Sequence, residues 1–173
     1  MNLSKIKIGD IPNKINAIIE IPYGSSIKYE FDKESEAVVV DRVMASAMFY
    51  PANYGFIANT LADDGDPVDI LVLNEYAIQA GAVLPCRLIG VLIMEDESGM
   101  DEKLLAVPTS KVDPRYDNIK SYTDLPQATL NKIKNFFETY KILEPNKWVK
   151  VQDFKGIKEA EEILQKAIKN YKA

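Results

Sequence analysis

The stretch DDGDPVDILVL, residues 63–73, joins a cluster of aspartates directly to an apolar segment. Four carboxylates fall within seven positions: Asp63, Asp64, Asp66 and Asp69. Two carboxylates ~4 Å apart repel by roughly 1 kcal/mol in water and about 4 kcal/mol at the effective dielectric of a protein surface. Either the segment is fully solvated, or cations compensate its charge.

Length and composition are those of an ordinary globular protein. The chain has 173 residues, 47% hydrophobic and 27% charged, so we expect residues 1–173 to form a single domain with a hydrophobic core. Lys and Arg number 21 against 26 Asp and Glu, which gives a net charge of −5. This balance argues against a nucleic-acid or anionic-membrane partner.

The sequence also indicates a cytoplasmic protein. Its one cysteine, Cys86, excludes an internal disulfide framework, and the N-terminus MNLSKIKIGD lacks the apolar segment of a secretory signal. No apolar run approaches the ~20 residues that span a membrane. We expect Cys86 to be buried in a strand and Trp148 to lie in the core.

The first two thirds of the chain are typical of β-structure. Short segments rich in β-branched residues alternate with turn signals. These segments are residues 16–21, 26–31, 37–43, 68–73, 86–94 and 103–107. About six strands at this spacing predict a small barrel or a strongly twisted sheet.

The last third is typical of helix, so the fold class is α+β and mainly β. Thr123 or Asp124 can cap a helix that has Pro126 near its first turn. One apolar face then follows, formed by Leu130, Ile133, Phe137 and Tyr140. A short strand at 147–151 and a second amphipathic helix after Gly156 complete the chain.

A second acidic cluster, MEDESGMDEK at residues 94–103, follows the apolar run 86–94. Consecutive strands are usually neighbours, and the connection is long enough for antiparallel pairing of 68–73 with 86–94. That pairing would place the start of one strand beside the end of the other. We therefore expect two sets of carboxylates to meet at one rim: Asp64, Asp66 and Asp69 with Asp96, Glu97 and Asp101.

Converging carboxylates predict a site for hard divalent cations. Mg²⁺ and Ca²⁺ take oxygen ligands, whereas zinc and copper usually recruit His or Cys. The chain has no His and one Cys, so Mg²⁺ is favoured, with Mn²⁺ as a substitute. An EF-hand loop starting at Asp64 fails because Asp69 stands where glycine is required. For either cluster alone, a solvated acidic surface loop is the alternative.

Several apolar strands carry an ionised residue. Glu20 interrupts NAIIEI, Lys28 and Glu30 share one face of segment 26–31, and Arg42 lies in segment 37–43. Such charges are costly unless they are paired or functional, although an edge position or a simple salt bridge would explain any one of them.

The basic side chains, together with nearby tyrosines, suit a small, densely anionic phosphate compound. Lys28, Arg42 and Lys141, with Tyr54 and Tyr140, would contact the oxygens that metal ions leave free. Phosphoryl transfer requires mainly charge neutralisation and positioning. Neither GxGxxG nor GxxxxGK[ST] occurs, which disfavours a dinucleotide-binding or P-loop enzyme.

The ordered set of motifs resembles the soluble family I inorganic pyrophosphatases in their short bacterial form. DGDPVDI at 64–70 matches the family signature, and further landmarks follow the family's order over nearly the whole chain: IEIP, IKYE, VDR, FYPANYGF, MEDESGMDEK and YK. The resemblance implies a five-stranded OB-like β-barrel flanked by helices, two of them in the C-terminal third. It also implies Mg²⁺-dependent hydrolysis of pyrophosphate to two orthophosphates by direct attack of a metal-activated water.

The resemblance also implies a role for each matching residue. The activating metals would be bound by Asp64, Asp69 and Asp101. Metal arriving with substrate would be bound by Asp96 and Asp101, with Glu20 and Glu30 nearby. Asp66 would accept a proton from the attacking water, in a catalytic set with Arg42, Lys28 and Tyr54. The phosphoryl groups would be held by Lys28, Arg42, Tyr54, Lys103, Tyr140 and Lys141.

The family is usually hexameric, so a homo-oligomer, most simply a hexamer, is expected. Some bacterial members carry His at a subunit contact on the helix before the Tyr-Lys pair. This chain has Asn135 and Thr139 there instead.

Two other functions fit parts of the pattern. OB-like barrels often bind oligonucleotides, but the net charge of −5 and the acidic rim disfavour that reading. A Ca²⁺ storage module would need the acidic clusters but not Lys28, Arg42 and Lys141. Phosphate release from pyrophosphate in the presence of Mg²⁺ separates both from the enzyme.

Overall fold

The computed structural model describes residues 2–171. The strands are β1 (Gly9–Asp10), β2 (Lys14–Ile21), β3 (Ile27–Asp32), β4 (Ala37–Val43), β5 (Asn53–Ile57), β6 (Asp69–Val72), β7 (Val83–Asp96), β8 (Gly99–Met100), β9 (Lys103–Pro108) and β10 (Val149–Lys155). The helices are α1 (Gln127–Thr139) and α2 (Ile157–Asn170). No helix in this part of the chain is long and apolar enough to cross a membrane.

Five strands close on one another to form a barrel. β2 pairs with β5, β5 with β6, β6 with β9, β9 with β7, and β7 pairs again with β2. The β6–β9 pairing is parallel and the other four are antiparallel. The predicted α+β, mainly β fold with a five-stranded OB-like barrel is therefore confirmed.

Both faces of the barrel strands are buried, because each face packs against a different set of residues. On β6, Ile70 and Val72 belong to a cluster that includes Leu164 of α2. Leu71 points the other way, into a cluster with Phe136 of α1. This alternation follows the two-residue period of a strand. The helices thus cover the barrel, and the strand ends are left to form the site.

The predicted pairing of segment 68–73 with segment 86–94 is wrong. β9 lies between them, with Asp69 of β6 and Leu92 of β7 both registered on Lys103. Apolar runs specify burial but not which strand is the neighbour, and here the parallel partner comes from much later in the chain. The acidic clusters still meet, because β9 starts at the same rim.

Other sequence expectations need smaller corrections. Pro126, rather than Thr123 or Asp124, is the residue before α1; Asp124 instead completes a capping box with Ser121 around a 3₁₀ turn. Strand β5 was not predicted. Trp148 is 47% exposed and so is not a core residue, whereas Cys86 is fully buried as expected.

The hairpin of β3 and β4 forms a separate two-stranded sheet. Its outer surface is exposed: Val40 is 61% and Val43 is 65% accessible. Two of the six predicted strands therefore lie outside the barrel. The hairpin is joined to β2 by a hydrogen bond from the Phe31 amide to the Glu20 carboxylate, 2.7 Å long.

Candidate active site

A cavity of about 410 Å³ opens where the barrel rim meets the β3–β4 hairpin and the turn after α1. Every site residue predicted from the sequence lines this cavity: Glu20, Lys28, Glu30, Arg42, Tyr54, Asp64, Asp66, Asp69, Asp96, Asp101, Lys103, Tyr140 and Lys141. Residues more than a hundred positions apart are thereby brought to one place.

The buried ammonium of Lys103 joins the two acidic clusters. Its Nζ donates to Asp69 Oδ2 at 2.5 Å and also to the carboxylate of Asp101. Burial lowers the pKa of Lys103, but the two carboxylates outweigh that effect and raise it above its usual range. Burial also raises the pKa of Asp101, while Lys103 opposes that rise. The barrel rim therefore concentrates negative charge that the Lys103 ammonium compensates only in part.

The DGD turn presents the first cluster. The Asp66 amide donates to Asp64 Oδ1 at 3.0 Å, and Gly65 between them has φ 93°, a conformation that favours glycine. Burial raises the pKa of Asp64, helped by the charges of Asp101 and Asp69. Asp63 does not line the cavity and pairs instead with Lys166 of α2 at 2.6 Å.

Glu20 reaches the cavity from a barrel strand. The register of β2 against β5 shifts between Ile19 and Ile21, where Glu20 lies. Such irregularities re-aim a side chain out of the regular alternation. Burial raises the pKa of Glu20 to about 7, and the Phe31 amide opposes this rise. An added positive charge near Glu20 would therefore stabilise its ionised form.

The β3–β4 hairpin carries a chain of ion pairs. Lys28 bonds to Glu30 and lies 3.5 Å from Asp41, and Arg42 Nη1 donates to Asp41 at 2.6 Å. Arg42 Nη2 also donates to Glu144 at 3.1 Å. Arg42 Nε is buried and has no hydrogen-bond partner within residues 2–171. Lys28 and Arg42 thus line the cavity from the β3–β4 hairpin and are held there by carboxylates.

The turn after α1 supplies the opposite wall. Lys141 Nζ lies 2.6 Å from Asp96 and 3.7 Å from Glu97, and Lys147 also pairs with Glu97. Burial opposes ionisation of Glu97, but its bond to Lys147 and the nearby Lys141 lower its pKa to about 2. One Glu97 oxygen is buried without a partner in the described part of the chain.

Tyrosines line the floor between these walls. The Tyr50 and Tyr54 rings lie 5.5 Å apart, and Tyr140 stacks on Phe136 at 5.3 Å. The Lys103 ammonium is 5.8 Å from the centre of the Tyr54 ring. Burial raises the pKa of Tyr50, Tyr54 and Tyr140, so all three phenols stay neutral and can donate hydrogen bonds.

Some residues that line the cavity or hold its cationic side chains were not found from the sequence. Glu144 and Lys147 lie in an ordinary polar turn and carry no motif. Asp41 sits inside the motif VDR but was not singled out. Their contacts with Arg42, Glu97 and Lys28 depend on the tertiary fold, and the Arg42–Glu144 pair spans 102 positions.

The donor set fits a hard divalent cation, because every acidic ligand offers oxygen and the chain has no histidine. Within residues 2–171, no group of three or more acidic or cysteine side chains is already arranged around one point to hold an ion. The ammonium groups of Lys103 and Lys141 lie against the carboxylates instead. An entering metal ion would therefore compete with these ammonium groups for the same oxygens.

The sequence model of the family described as inorganic pyrophosphatase matches residues 17–172. An inorganic pyrophosphatase of Campylobacter jejuni subsp. jejuni serotype O:2 is 89% identical over 172 residues, covering 99% of this chain and 100% of that protein. An inorganic pyrophosphatase of Helicobacter pylori is 57% identical over 171 residues, covering 99% of each chain.

Solved structures agree with the fold. An inorganic pyrophosphatase from Helicobacter pylori superposes with a TM-score of 0.94 at 56% identity, covering 98% of this chain and 99% of that one. The one from Thermus thermophilus also gives 0.94, at 44% identity and with complete coverage of both chains. The similarity extends over the whole cavity, since the match to the Thermus thermophilus structure covers all of this chain.

Proposed function

The chain belongs to the inorganic pyrophosphatase family, and from that membership we propose that it hydrolyses pyrophosphate by direct attack of water with Mg²⁺ as the activating ion. The protein is an enzyme that acts on a phosphoric anhydride, its substrate is pyrophosphate, and its family uses a divalent metal. Membership favours this function over oligonucleotide binding and Ca²⁺ storage. The metal identity, the mechanism and the residue roles are the proposal.

The metal-holding residues would be the carboxylates of the two clusters: Asp64, Asp69, Asp101 and Asp96, with Glu20 and Glu30 nearby. When bound, divalent ions neutralise charge on the anhydride oxygens and lower the pKa of water towards neutrality. Burial raises the pKa values of Asp64, Asp101 and Glu20, which shows that the positive charge nearby is too small to offset the burial of these carboxylates. A bound divalent cation would supply that charge, and this supports the proposal. Mn²⁺, also a hard cation with oxygen ligands, would substitute.

Asp66 would orient the attacking water and take its proton. It is exposed to solvent at the tip of the turn, and its backbone amide, rather than its carboxylate, makes the bond to Asp64. Its carboxylate is thus left to accept a proton. A positioned general base of this kind typically contributes about 10²- to 10⁴-fold in rate.

The lysine and arginine side chains of the cavity would hold the two phosphoryl groups. Carboxylates already fix the positions of these side chains. Lys103 and Lys141 pair with Asp69, Asp101 and Asp96, all of them proposed metal-holding residues. On loading, the carboxylates would turn to the metal ions while the ammonium groups turn to phosphate oxygens. Lys28 and Arg42 on the hairpin complete the cationic wall, and the Tyr54 and Tyr140 hydroxyls would donate to the remaining oxygens.

The observation that carries the proposal is that one cavity gathers both acidic clusters and Lys28, Arg42, Lys103 and Lys141. The test is phosphate release from pyrophosphate, measured colorimetrically with Mg²⁺, with Mn²⁺ and with excess EDTA. We expect turnover with either ion and none with EDTA. Full turnover in EDTA, or none with either ion, would contradict it.

We extend the proposal to the assembly, location and domain organisation of the chain. Each chain would form a single domain of residues 1–173, and six chains would assemble in the cytoplasm, as the family resemblance implies. Apolar surface for the subunit contacts is offered by the exposed residues Val40, Val43, Phe49 and Ile142. Asn135 is exposed on α1, and Thr139 Oγ1 donates to its carbonyl at 2.6 Å. Light scattering tests the assembly: six 19.4 kDa chains are expected, and a monomer mass would contradict it.

A further inference from the structure

Beside the cavity proposed to hold the metal ions and the phosphoryl groups, called the phosphate cavity below, lies a second recess that the proposed reaction does not use. This recess has a volume of about 450 Å³. The two cavities share five lining residues: Leu3, Phe31, Lys33, Phe56 and Pro67. A ligand anchored among the phosphate-binding residues could therefore extend into the recess without leaving the protein surface.

The recess differs in chemistry from the cavity beside it. Its walls include Leu3, Phe31, Phe56, Ala58 and Leu61, and Phe56 and Ala58 belong to a small apolar cluster with Ile18. Carboxylates and ammonium groups dominate the phosphate cavity, whereas the recess contains one cation, Lys33, and one acidic residue, Glu36. The combined space thus suits an anionic group at one end, in the phosphate cavity, and an apolar group at the other end, in the recess.

Most polar groups in the recess wall are already bonded within the protein. Thr60 Oγ1 donates to the Ile57 carbonyl at 2.6 Å and accepts from the Val68 amide at 3.0 Å. Asn59 Nδ2 donates to the Ile6 carbonyl at 2.9 Å, and Ser4 Oγ donates to Asn2 at 2.7 Å. A sugar or nucleobase would find few free partners here, and its own polar groups would be buried at a cost.

The two phenylalanine rings do not form a stacking slot. Phe31 and Phe56 have ring centres 6.3 Å apart and planes tilted by 47°. A planar base needs a parallel face, whereas a flexible or branched hydrocarbon fills an angled wall. The shape therefore favours an aliphatic group over an aromatic heterocycle.

Lys33 stands at the junction of the two spaces. It is exposed, lines both of them and forms no ion pair within residues 2–171. It can thus meet a phosphate oxygen on the ester side of a diphosphate. We infer that the recess binds the hydrocarbon group of an organic diphosphate monoester, whose diphosphate end occupies the phosphate cavity. This inference rests on the proposed function, because that function places the diphosphate end.

The consequence is competitive inhibition that strengthens with the hydrocarbon chain. Suitable probes are uncleavable methylene-bridged diphosphate monoesters carrying either a methyl or a 3-methylbutyl group. Partial burial of the four extra carbons predicts an inhibition constant about tenfold lower for the longer ester. Equal inhibition by both esters, or inhibition by neither, would overturn the inference.

Two variants locate the hydrocarbon. Leu61→Asn removes an apolar wall of the recess, and Ser4→Phe, on the exposed N-terminal 3₁₀ turn, fills it; neither residue lines the phosphate cavity. Each should reduce the tenfold preference to roughly threefold or less while leaving pyrophosphate turnover unchanged. Val112→Asn, at an exposed apolar residue outside both spaces, is the matched control and should keep the full preference.

A preference that survives in both variants would place the hydrocarbon elsewhere and overturn the inference. Calorimetry with the two esters and Mg²⁺ gives the same ratio without using turnover. Failure of the proposed function would show as absent phosphate release from pyrophosphate. Failure of this inference would show as a calorimetric affinity ratio near one.

Discussion

Asp69 and Lys103 are register partners on adjacent parallel strands, and their side chains meet with Lys103 Nζ 2.5 Å from Asp69 Oδ2. The same ammonium bonds to Asp101, which comes from the second acidic cluster. Lys103 is only 2% exposed. One buried cation therefore joins two acidic segments that lie more than thirty positions apart.

Replacing Lys103 by Met should destabilise the metal-free protein by about 3 kcal/mol, because the carboxylates of Asp69 and Asp101 would lose their buried counter-charge. Urea unfolding in EDTA measures the loss, and Lys103→Arg, which keeps the charge, is the control. Mg²⁺ should restore more stability to Lys103→Met than to the wild type, since a bound ion takes over the missing charge. Wild-type stability of the variant in EDTA would show that the carboxylates do not depend on this ammonium.

Asp66→Asn should fold and bind Mg²⁺ normally but lose about 10²- to 10⁴-fold in kcat, because the amide cannot accept the proton of the attacking water. Steady-state phosphate release measures kcat, and calorimetry measures metal binding. Asp63→Asn is a matched control three positions earlier, since Asp63 pairs with Lys166 and lies outside the cavity. An unchanged kcat in Asp66→Asn would remove this residue from the general-base role.

Glu144 should act as a positioning residue for Arg42. It lies outside the β3–β4 hairpin, in the turn after α1, and its Oε1 is 3.1 Å from Arg42 Nη2. Glu144→Ala should raise KM roughly fivefold with little change in kcat, the size expected for one partly exposed charged hydrogen bond. Glu138→Ala, an exposed carboxylate on α1, should leave KM unchanged.

A double-mutant cycle separates this role from a general structural effect. In an Arg42→Ala background, Glu144→Ala should add nothing further to KM. Independent, multiplying effects of the two substitutions would mean that Glu144 does not act through Arg42.

Gly55→Ala should destabilise the barrel by about 3 kcal/mol or more, because its Cβ would lie 1.8 Å from the Ile18 carbonyl oxygen on the neighbouring strand. Thermal and urea unfolding measure the loss. Gly24→Ala meets no atom within 4 Å and is strained only by its φ of 79°, so it should cost about 1 kcal/mol. Similar, small losses in both variants would refute the close approach of β2 and β5.

Four of the five barrel strands, β2, β6, β7 and β9, could be predicted because each is a short apolar run rich in β-branched residues or leucine and bounded by turn residues. Both helices follow from their apolar periodicity. The neighbour of β6 could not be predicted, because every barrel strand is apolar on both faces and the local pattern does not distinguish β7 from β9. Strand β5 escaped prediction because Gly55 interrupts it and its tyrosine suggested a different role.

The sequence predicts correctly which charged residues line one cavity, although it assigns β6 the wrong neighbouring strand. Carboxylates and cations on apolar strands, such as Glu20 and Arg42, stand out because burial of charge is costly. Glu144 and Lys147 could not be found in this way, since charged residues in a polar turn are unremarkable. The exposure of Trp148 likewise depends on tertiary packing and not on residue type.

The central claim is that both acidic clusters hold the same metal ions. The most direct measurement is a crystal grown with Mn²⁺ and an uncleavable pyrophosphate analogue, with data collected to locate manganese by anomalous scattering. Peaks coordinated jointly by Asp69 and Asp101, with Asp64 and Asp96 among the remaining ligands, are predicted. Manganese peaks elsewhere on the molecule, or at one cluster without the other, would contradict the claim.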